Sequence, residues 1–346
     1  MTARGLRAVA LAPLLACAAA GCSSSPSSPP AGAGAPRPSA TASRTTPASS
    51  PATASPVRLR VAVAGALPHG LSRTVAVAAN GEVLLLGGLV AGDTTTATVL
   101  RFDPASGTTT TAGRLPVAVH DASGALLRGR AVVFGGGAAT SVSDVQAWDG
   151  GSGSVVGHLR SGRSDSAAAL VGPTAYVVGG FDGTAMVRAV EAATDDGTHV
   201  GVSGALALGV RYPAVAAAGG SVWVVGGQLA TTESTRTGGQ TDDIQRFDPA
   251  TGRTVVAGHL PEPLGHATAF TLGGAVYVAG GRSGSQAVRT VWRVDPETGR
   301  ATAVGTLPTA CSDMAAVVVG DTAWLFGGET TGPEAPLRTI LTVRAG

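Results

Sequence analysis

Lysine is absent from all 346 residues, so every one of the 24 basic side chains is arginine. Chemistry that runs through a lysine Schiff base is thereby excluded. Aromatic residues are scarce at 4%, charged residues make up 13%, and only three cysteines occur, Cys17, Cys22 and Cys311. The longest apolar stretch, Ala8 to Ala20, is too short for a helix spanning a hydrocarbon layer of about 30 Å. The formal net charge of +2 supplies no basic footprint for nucleic acid. What the chain has in quantity is glycine, 51 residues, about twice the usual share. Short strands joined by tight turns are therefore expected, and the first expectation is an all-β protein.

Arg4 and Arg7, followed by the apolar stretch and by Ala19-Ala20-Gly21, form the charged, apolar and small-residue regions of a secretory signal. Ala19-Ala20-Gly21-Cys22 resembles the bacterial lipobox, in which the cysteine is acylated and becomes the new N-terminus. Leu14-Leu15-Ala16-Cys17 is a second match with a shorter apolar region, and an ordinary signal peptide is the plainer alternative. Residues 1–21 are thus expected to be a lipoprotein signal peptide and Cys22 the lipidation site. The protein is then extracytoplasmic, held on the bacterial cell membrane by its N-terminal lipid. Loss of Arg4 and Arg7 leaves it formally neutral, and Cys311 is left as a single thiol with no disulfide partner. Residues 22–56 are almost wholly Ser, Pro, Thr, Ala and Gly, a composition that cannot bury enough apolar surface to order itself, and read as a tether.

Internal repeats organise the rest. Glycine doublets recur at Gly87-Gly88, Gly135-Gly136, Gly179-Gly180, Gly226-Gly227, Gly280-Gly281 and Gly327-Gly328. Each ends a short apolar run of strand composition such as Val83-Leu84-Leu85-Leu86 or Val222-Trp223-Val224-Val225. A second apolar run precedes each, across a tight turn such as Asn80-Gly81 or Gly273-Gly274, which is hairpin chemistry. A third strand leads into turns such as Phe102-Asp103-Pro104-Ala105-Ser106-Gly107 and Phe247-Asp248-Pro249-Ala250-Thr251-Gly252. There Pro presets φ, Asp bonds back to the backbone and Gly takes positive φ. A fourth strand ends at Leu115-Pro116, Leu159-Arg160, Leu206-Ala207, Leu260-Pro261 and Leu307-Pro308. Four antiparallel strands per repeat make one blade.

With the doublet after the second strand, an aromatic three residues earlier at Tyr176, Trp223, Tyr277 and Trp324, and a period near 50 residues, residues 57–346 resemble the kelch-repeat β-propeller family. Leu84 and Val132 depart from the aromatic position, and Thr194-Asp195-Asp196-Gly197 lacks the proline. The resemblance implies a six-bladed propeller. After the last doublet one strand remains, near Arg338 to Arg344, so the sixth repeat lacks its outer strand. Val61-Ala62-Val63-Ala64-Gly65-Ala66-Leu67-Pro68 matches a fourth-strand ending, and the N-terminal strand is predicted to complete the last blade.

Loops from strand four to the next strand one share a face with loops joining strands two and three, including the longest insertion, 228–243. Five residues past each fourth-strand ending stand Arg73, Asp121, Asp165, Tyr212, His266 and Asp313; one residue earlier stand Ser72, His120, Ser164, Arg211, Gly265 and Ser312. Six-fold geometry would gather these at the mouth of the central channel. Arg73, His120, Asp121, Asp165, Arg211, Tyr212, His266 and Asp313 are the predicted ligand-binding residues. Water and bonds between blades are the plainer role for the same groups. Imidazole and carboxylate can ligate metals, but the wide spacing of His120, Asp121, Asp165, His266 and Asp313 gives no metal motif, and no metal or cofactor is predicted. Some secreted propellers of this kind resemble galactose oxidase, with tyrosine and histidine copper ligands and a cysteine cross-linked to tyrosine. Here Tyr176 and Tyr277 fall in strands, leaving Tyr212 alone for such chemistry. Cys311 is read as a semi-buried thiol, with nucleophile as the alternative.

These residues favour a binding module with no catalytic residue assigned, whose partner is an envelope protein or extracellular glycan, and which works as a monomer. The alternative is a carbohydrate-active enzyme, epimerase, mutarotase or oxidase-like, with Arg73 or Arg211 holding a carboxylate and His266 or an Asp moving protons. A third possibility is an architectural envelope protein that only presents a surface.

Overall fold

The computed structural model describes residues 58–230 and 239–346. The signal sequence, Cys22 and the tether lie outside the described residues, as does the middle of the 228–243 insertion. The rest is all-β and forms six four-stranded antiparallel sheets. Blade one comprises Val75–Ala79, Glu82–Leu86, Thr98–Asp103 and Thr108–Arg114. Blade two comprises Ser123–Leu127, Arg130–Phe134, Asp144–Trp148 and Gly153–His158. Ser164–Val171, Thr174–Phe181, Ala189–Thr194 and His199–Ala205 make blade three. Ala214–Ala218, Ser221–Val225, Asp243–Asp248 and Arg253–His259 make blade four. Blade five is Thr268–Leu272, Ala275–Ala279, Thr290–Val294 and Ala301–Thr306. Blade six takes three strands from the C-terminal end, Ala315–Val319, Thr322–Phe326 and Thr339–Ala345, and its outer strand, Leu59–Ala66, from the N-terminal end. Leu59 faces Ala345 and Ala66 faces Thr339 in that pairing, which is the predicted closure.

The apolar patterning follows from stacking blade on blade. Second strands are covered on both faces and are therefore apolar almost throughout: Val83, Leu84, Leu85 and Leu86 are all buried. Outer strands have one wet face, and Val63, Val202 and Val255 stay exposed. The core is accordingly a series of six layers, each drawn from two consecutive blades. One is built by Val75, Val77 and Leu86 of blade one against Ala131, Val133 and Trp148 of blade two. The layer that closes the ring packs Leu67, Leu85, Leu100 and Phe102 against Trp324, Phe326 and Ile340. Phe102 meets Trp324 at 5.0 Å and Phe326 at 5.2 Å between ring centroids, within the range of favourable tilted aromatic pairs. Each outer strand also carries a β-bulge, as between Val99 and Leu100 or Ile244 and Gln245 on its partner. A bulge bends and twists an edge and blunts pairing with other chains.

The glycine doublet has a specific use. Its second N–H donates to a carbonyl in the incoming loop of the next blade: Gly88 to Val119 (2.8 Å), Gly136 to Arg163 (2.8 Å), Gly180 to Val210 (2.7 Å), Gly227 to Leu264 (2.8 Å), Gly281 to Cys311 (2.9 Å) and Gly328 to Leu71 (3.0 Å). The first glycine holds a left-handed φ, 62° at Gly327, and lies so close to that carbonyl that a Cβ would overlap it. Six equivalent clasps thus join the blades, and the last joins blade six to blade one. The Asp-Pro turns behave as the sequence suggests: in the first, Ala105 N–H donates to Asp103 Oδ1 (2.8 Å) and Ser106 Oγ to Oδ2 (2.7 Å). The Ser106 hydroxyl and the backbone amide hold the Asp103 carboxyl below its ordinary range.

Candidate functional site

Two residues beyond each clasped carbonyl stands one of the six predicted mouth residues. Arg73, Asp121, Asp165, Tyr212, His266 and Asp313 all adopt left-handed backbone, with φ between 50° and 58°. Such values are uncommon for residues other than glycine. Here they recur because the six backbones form a closed hydrogen-bonded ring. The N–H of Asp121 donates to Arg73 (3.0 Å), Asp165 to Asp121 (2.8 Å), Tyr212 to Asp165 (2.8 Å), His266 to Tyr212 (3.1 Å), Asp313 to His266 (2.9 Å) and Arg73 to Asp313 (3.1 Å). Left-handed geometry turns each N–H along the ring and aims each side chain at the channel. All six side chains line a central cavity of about 190 Å³, whose wall continues along first strands through small residues such as Ala76, Gly124 and Ala167.

The second predicted set is divided by the structure. Ser72 and Ser312 are buried, whereas His120 and Arg211 remain partly exposed. Isolated bridges tie Ser72 to Leu89, His120 to Gly137, Arg211 to Gln228, Gly265 to Arg282 and Ser312 to Glu329. Those partners each directly follow a glycine doublet, and they bring in two charged groups that the count from strand endings does not reach, Arg282 and Glu329. Applying the repeat logic to the residue after each doublet would have found both.

Glu329 is fully buried, with Arg73 as its closest counter-ion and Arg282 Nη2 3.7 Å from its Oε2. Arg73 Nε donates to its Oε1 at 2.8 Å, and Ser72 Oγ to the same oxygen at 2.9 Å. Arg73 Nη1 also meets Asp121 Oδ2 at 3.1 Å, and Nε lies 3.9 Å from Asp313 Oδ1. Burial opposes the charge on Arg73, but Asp121, Glu329 and Asp313 outweigh it and hold its pKa above the ordinary value. Asp313 accepts from Ser312 Oγ at 2.6 Å and contacts His266 Nδ1 at 2.7 Å. Burial pushes its carboxyl up, and His266, Arg73 and Ser312 overcome this to leave it below the ordinary range. Burial prevails at Asp121 and Asp165, which are raised despite Arg73 and Arg211. Stability contributed by Asp313 is therefore present above the ordinary carboxyl range and lost as acid protonates it. The cost of burying charged Asp121 and Asp165 is instead relieved as pH falls through their raised values.

Among the described residues, Arg211 is the most exposed cation of the mouth, and its Nε donates to Gln228 Oε1 at 3.3 Å. Its side chain is 29% exposed and 3.6 Å from Asp165. Its guanidinium lies 5.0 Å from the Tyr212 ring centre and 5.6 Å from that of Phe181, both within cation–π reach. Tyr212 stacks on His266 with centroids 3.8 Å apart. His120 Nδ1 meets Thr95 Oγ1 at 2.8 Å, from the short hairpin of Leu89–Val90 and Thr94–Thr95. The carboxylates thus lie deepest, with the arginines and histidines more accessible above them.

Cys311 requires a correction. It is buried rather than semi-buried, its carbonyl is the one clasped by Gly281, and desolvation pushes its thiol up to about 12. A thiol so raised carries almost no thiolate near neutrality, so the nucleophile reading fails. Iodoacetamide at pH 7.5, with peptide mass spectrometry, should leave Cys311 unmodified in the native chain and modify it in 6 M guanidinium. Rapid native labelling would contradict this account. Among the described residues, the group whose potential metal-ligand atoms lie within 4.8 Å of one another is Asp242, Asp243 and His259. No such group forms from His120, Asp121, Asp165, His266 and Asp313.

The Kelch motif family profile matches residues 263–300, the stretch that holds His266 and the first three strands of blade five. A solved structure described as that of YjhT is similar, with a TM-score of 0.68 and 14% identity, over 81% of this chain and 99% of that one. At that identity the likeness concerns the fold alone. No curated protein sequence matches the chain.

Proposed function

Taking a six-bladed β-propeller that carries a kelch motif as the premise, we propose that this chain is a binding module whose channel mouth takes a polar group of an extracellular glycan. The carrying observation is the division of labour among the mouth residues. Arg73 is engaged by Glu329 and Asp121, while Tyr212 and His266 line the cavity with their backbones fixed by the ring. Arg211 lies 5.0 Å from the Tyr212 ring centre, and its backbone N–H is tied to Gln228. Fixed donors beside a stacked aromatic pair suit the hydroxyl-rich edge and apolar face of a sugar, because little freedom is lost on binding. The lipobox at Cys22 and the tether would present this mouth outside the membrane, with an envelope protein as the other class of partner.

A panel of cell-wall and exopolysaccharide oligosaccharides, titrated into the full chain, tests the reading. One of them should bind, and Arg211→Ala should weaken it at least ~10-fold, the equivalent of losing one charge-assisted hydrogen bond. The melting temperature should stay within ~2 °C, since Arg211 is partly exposed. Binding that survives both Arg211→Ala and His266→Ala would sink the proposal, and capture of an envelope polypeptide alone would replace the glycan with a protein.

One contact favours a second reading. His266 Nδ1 on Asp313 Oδ1 leaves Nε2 as an acid or base at the cavity, on a ring stacked against Tyr212, as an epimerase or mutarotase would need. Turnover of a sugar that His266→Gln abolishes, with binding retained, would select that reading.

A further inference from the structure

Third strands send two side chains into the layer shared with the preceding blade, and one blade differs from the others. In blades two and four the first of the pair is a glutamine, Gln146 or Gln245. Its Oε1 accepts from an N–H of the incoming loop, that of Val117 (2.9 Å) or Leu208 (3.0 Å). In blade three Glu191 does the same for Arg160 (3.0 Å) and pairs with buried Arg163. Blade five fills the place with Trp292. Blade one has Leu100 there, but Phe102 two residues on packs against Trp324 and Phe326. Blade six has neither device: its pair is Leu341 and Val343.

A cavity of about 320 Å³ opens at that place, against the incoming loop at Pro308 and Thr309. The cavity opens to solvent on the side of Val63, which is exposed, while its inner wall at Cys311, Met314 and Leu341 is buried. Val63, Pro308, Cys311, Met314, Leu337 and Leu341 make it mainly apolar, and Arg338 stands at its rim. Arg338 is exposed, and its Nε donates to the Leu67 carbonyl oxygen at 2.7 Å, which fixes the guanidinium in place. Among the described residues no carboxylate forms an ion pair with it. The charge complementary to that rim is an anion, and the volume behind it suits an alkyl body of about eight to ten carbons.

We propose that the wedge of blade six is a binding site for a medium-chain monocarboxylate, with its hydrocarbon in the cavity and its carboxylate on Arg338. The site is separate from the channel mouth and does not depend on the function assigned there. Titration of the full chain with sodium decanoate below its micellar concentration should give saturable one-to-one binding, with decylamine binding at least ~10-fold more weakly. Leu341→Trp, which gives blade six the side chain blade five already carries, should weaken decanoate at least ~10-fold without lowering the melting temperature. Ala66→Leu, at an exposed position on the cavity wall, should do the same and keeps the test decisive if the tryptophan variant fails to fold. Arg211→Ala should leave decanoate binding unchanged. Decylamine binding as tightly as decanoate, or decanoate binding unaffected by filling the cavity, would overturn the proposal.

Discussion

Replacing Gly327 by alanine should lower the unfolding free energy by about 4 kcal/mol, near the top of the range for single substitutions. Two effects add. Gly327 has φ of 62°, a region that costs a residue with a Cβ about 1 kcal/mol. The added carbon would also overlap the Leu71 carbonyl oxygen, the acceptor of the clasp from Gly328. Backbone on both sides leaves no flexible side chain to move aside, so the seam between blades six and one must part. Gly107→Ala separates the two effects: its φ is 71°, but nothing lies within 4 Å of the new carbon, and it should lose only about 1 kcal/mol. Urea unfolding of both variants measures the difference. Equal losses would show that the close approach carries no energetic weight.

Arg73→Met should lose about 3 kcal/mol, because it removes the closest cation of buried Glu329 and of Asp121, leaving Glu329 only Arg282 at 3.7 Å. The long apolar side chain fills most of the volume, so the loss reports charge rather than cavity. Adding Glu329→Gln should restore a large part of it, since a neutral amide no longer needs a counter-ion. The pH dependence provides a second readout. Stranded carboxylates have raised pKa values, so the variant should regain stability relative to the parent as pH falls through them. The parent meanwhile loses the contribution of Asp313, whose carboxyl is held low. A deficit constant from pH 4 to pH 8 would contradict this assignment.

The six blades and their closure were legible in the chain because punctuation repeats in sequence as it does in space. Each doublet, each Asp-Pro turn and each strand ending marks a fixed point of a blade, so counting from Leu67 or Leu260 reached the mouth residues directly. Counting from strand endings does not reach Arg282 and Glu329, which stand after the doublets and are joined to the mouth by the bridges from Gly265 and Ser312. Cys311 was misjudged for a related reason. Its neighbours in sequence, Thr309, Ala310 and Ser312, look like a surface loop, but the clasp from Gly281 draws its carbonyl inward and Met314 and Gly328 close over the sulfur. The cavity of blade six was visible in principle as the pair Leu341 and Val343, but only when compared with the same two places in every other blade.

Blade six is built from both ends of the propeller, and this governs the order in which the fold can form. Leu67 and Arg338, which exchange a backbone and a side-chain bond, are separated by 271 residues. Layers between neighbouring blades join segments roughly 50 residues apart and can assemble progressively, whereas the last seam must wait until the strand at 339–345 has been synthesised. Bringing such distant segments together carries a loop-closure entropy that grows only as the logarithm of their separation, so the delay is set by waiting rather than by thermodynamic cost. Until then Leu59–Ala66 is an unpaired strand with alternating apolar residues. In refolding, where the whole chain is present, pairing segments so far apart in sequence is the slow step. The rate of recovery should depend on protein concentration, because capture of this strand by a second molecule competes with closure.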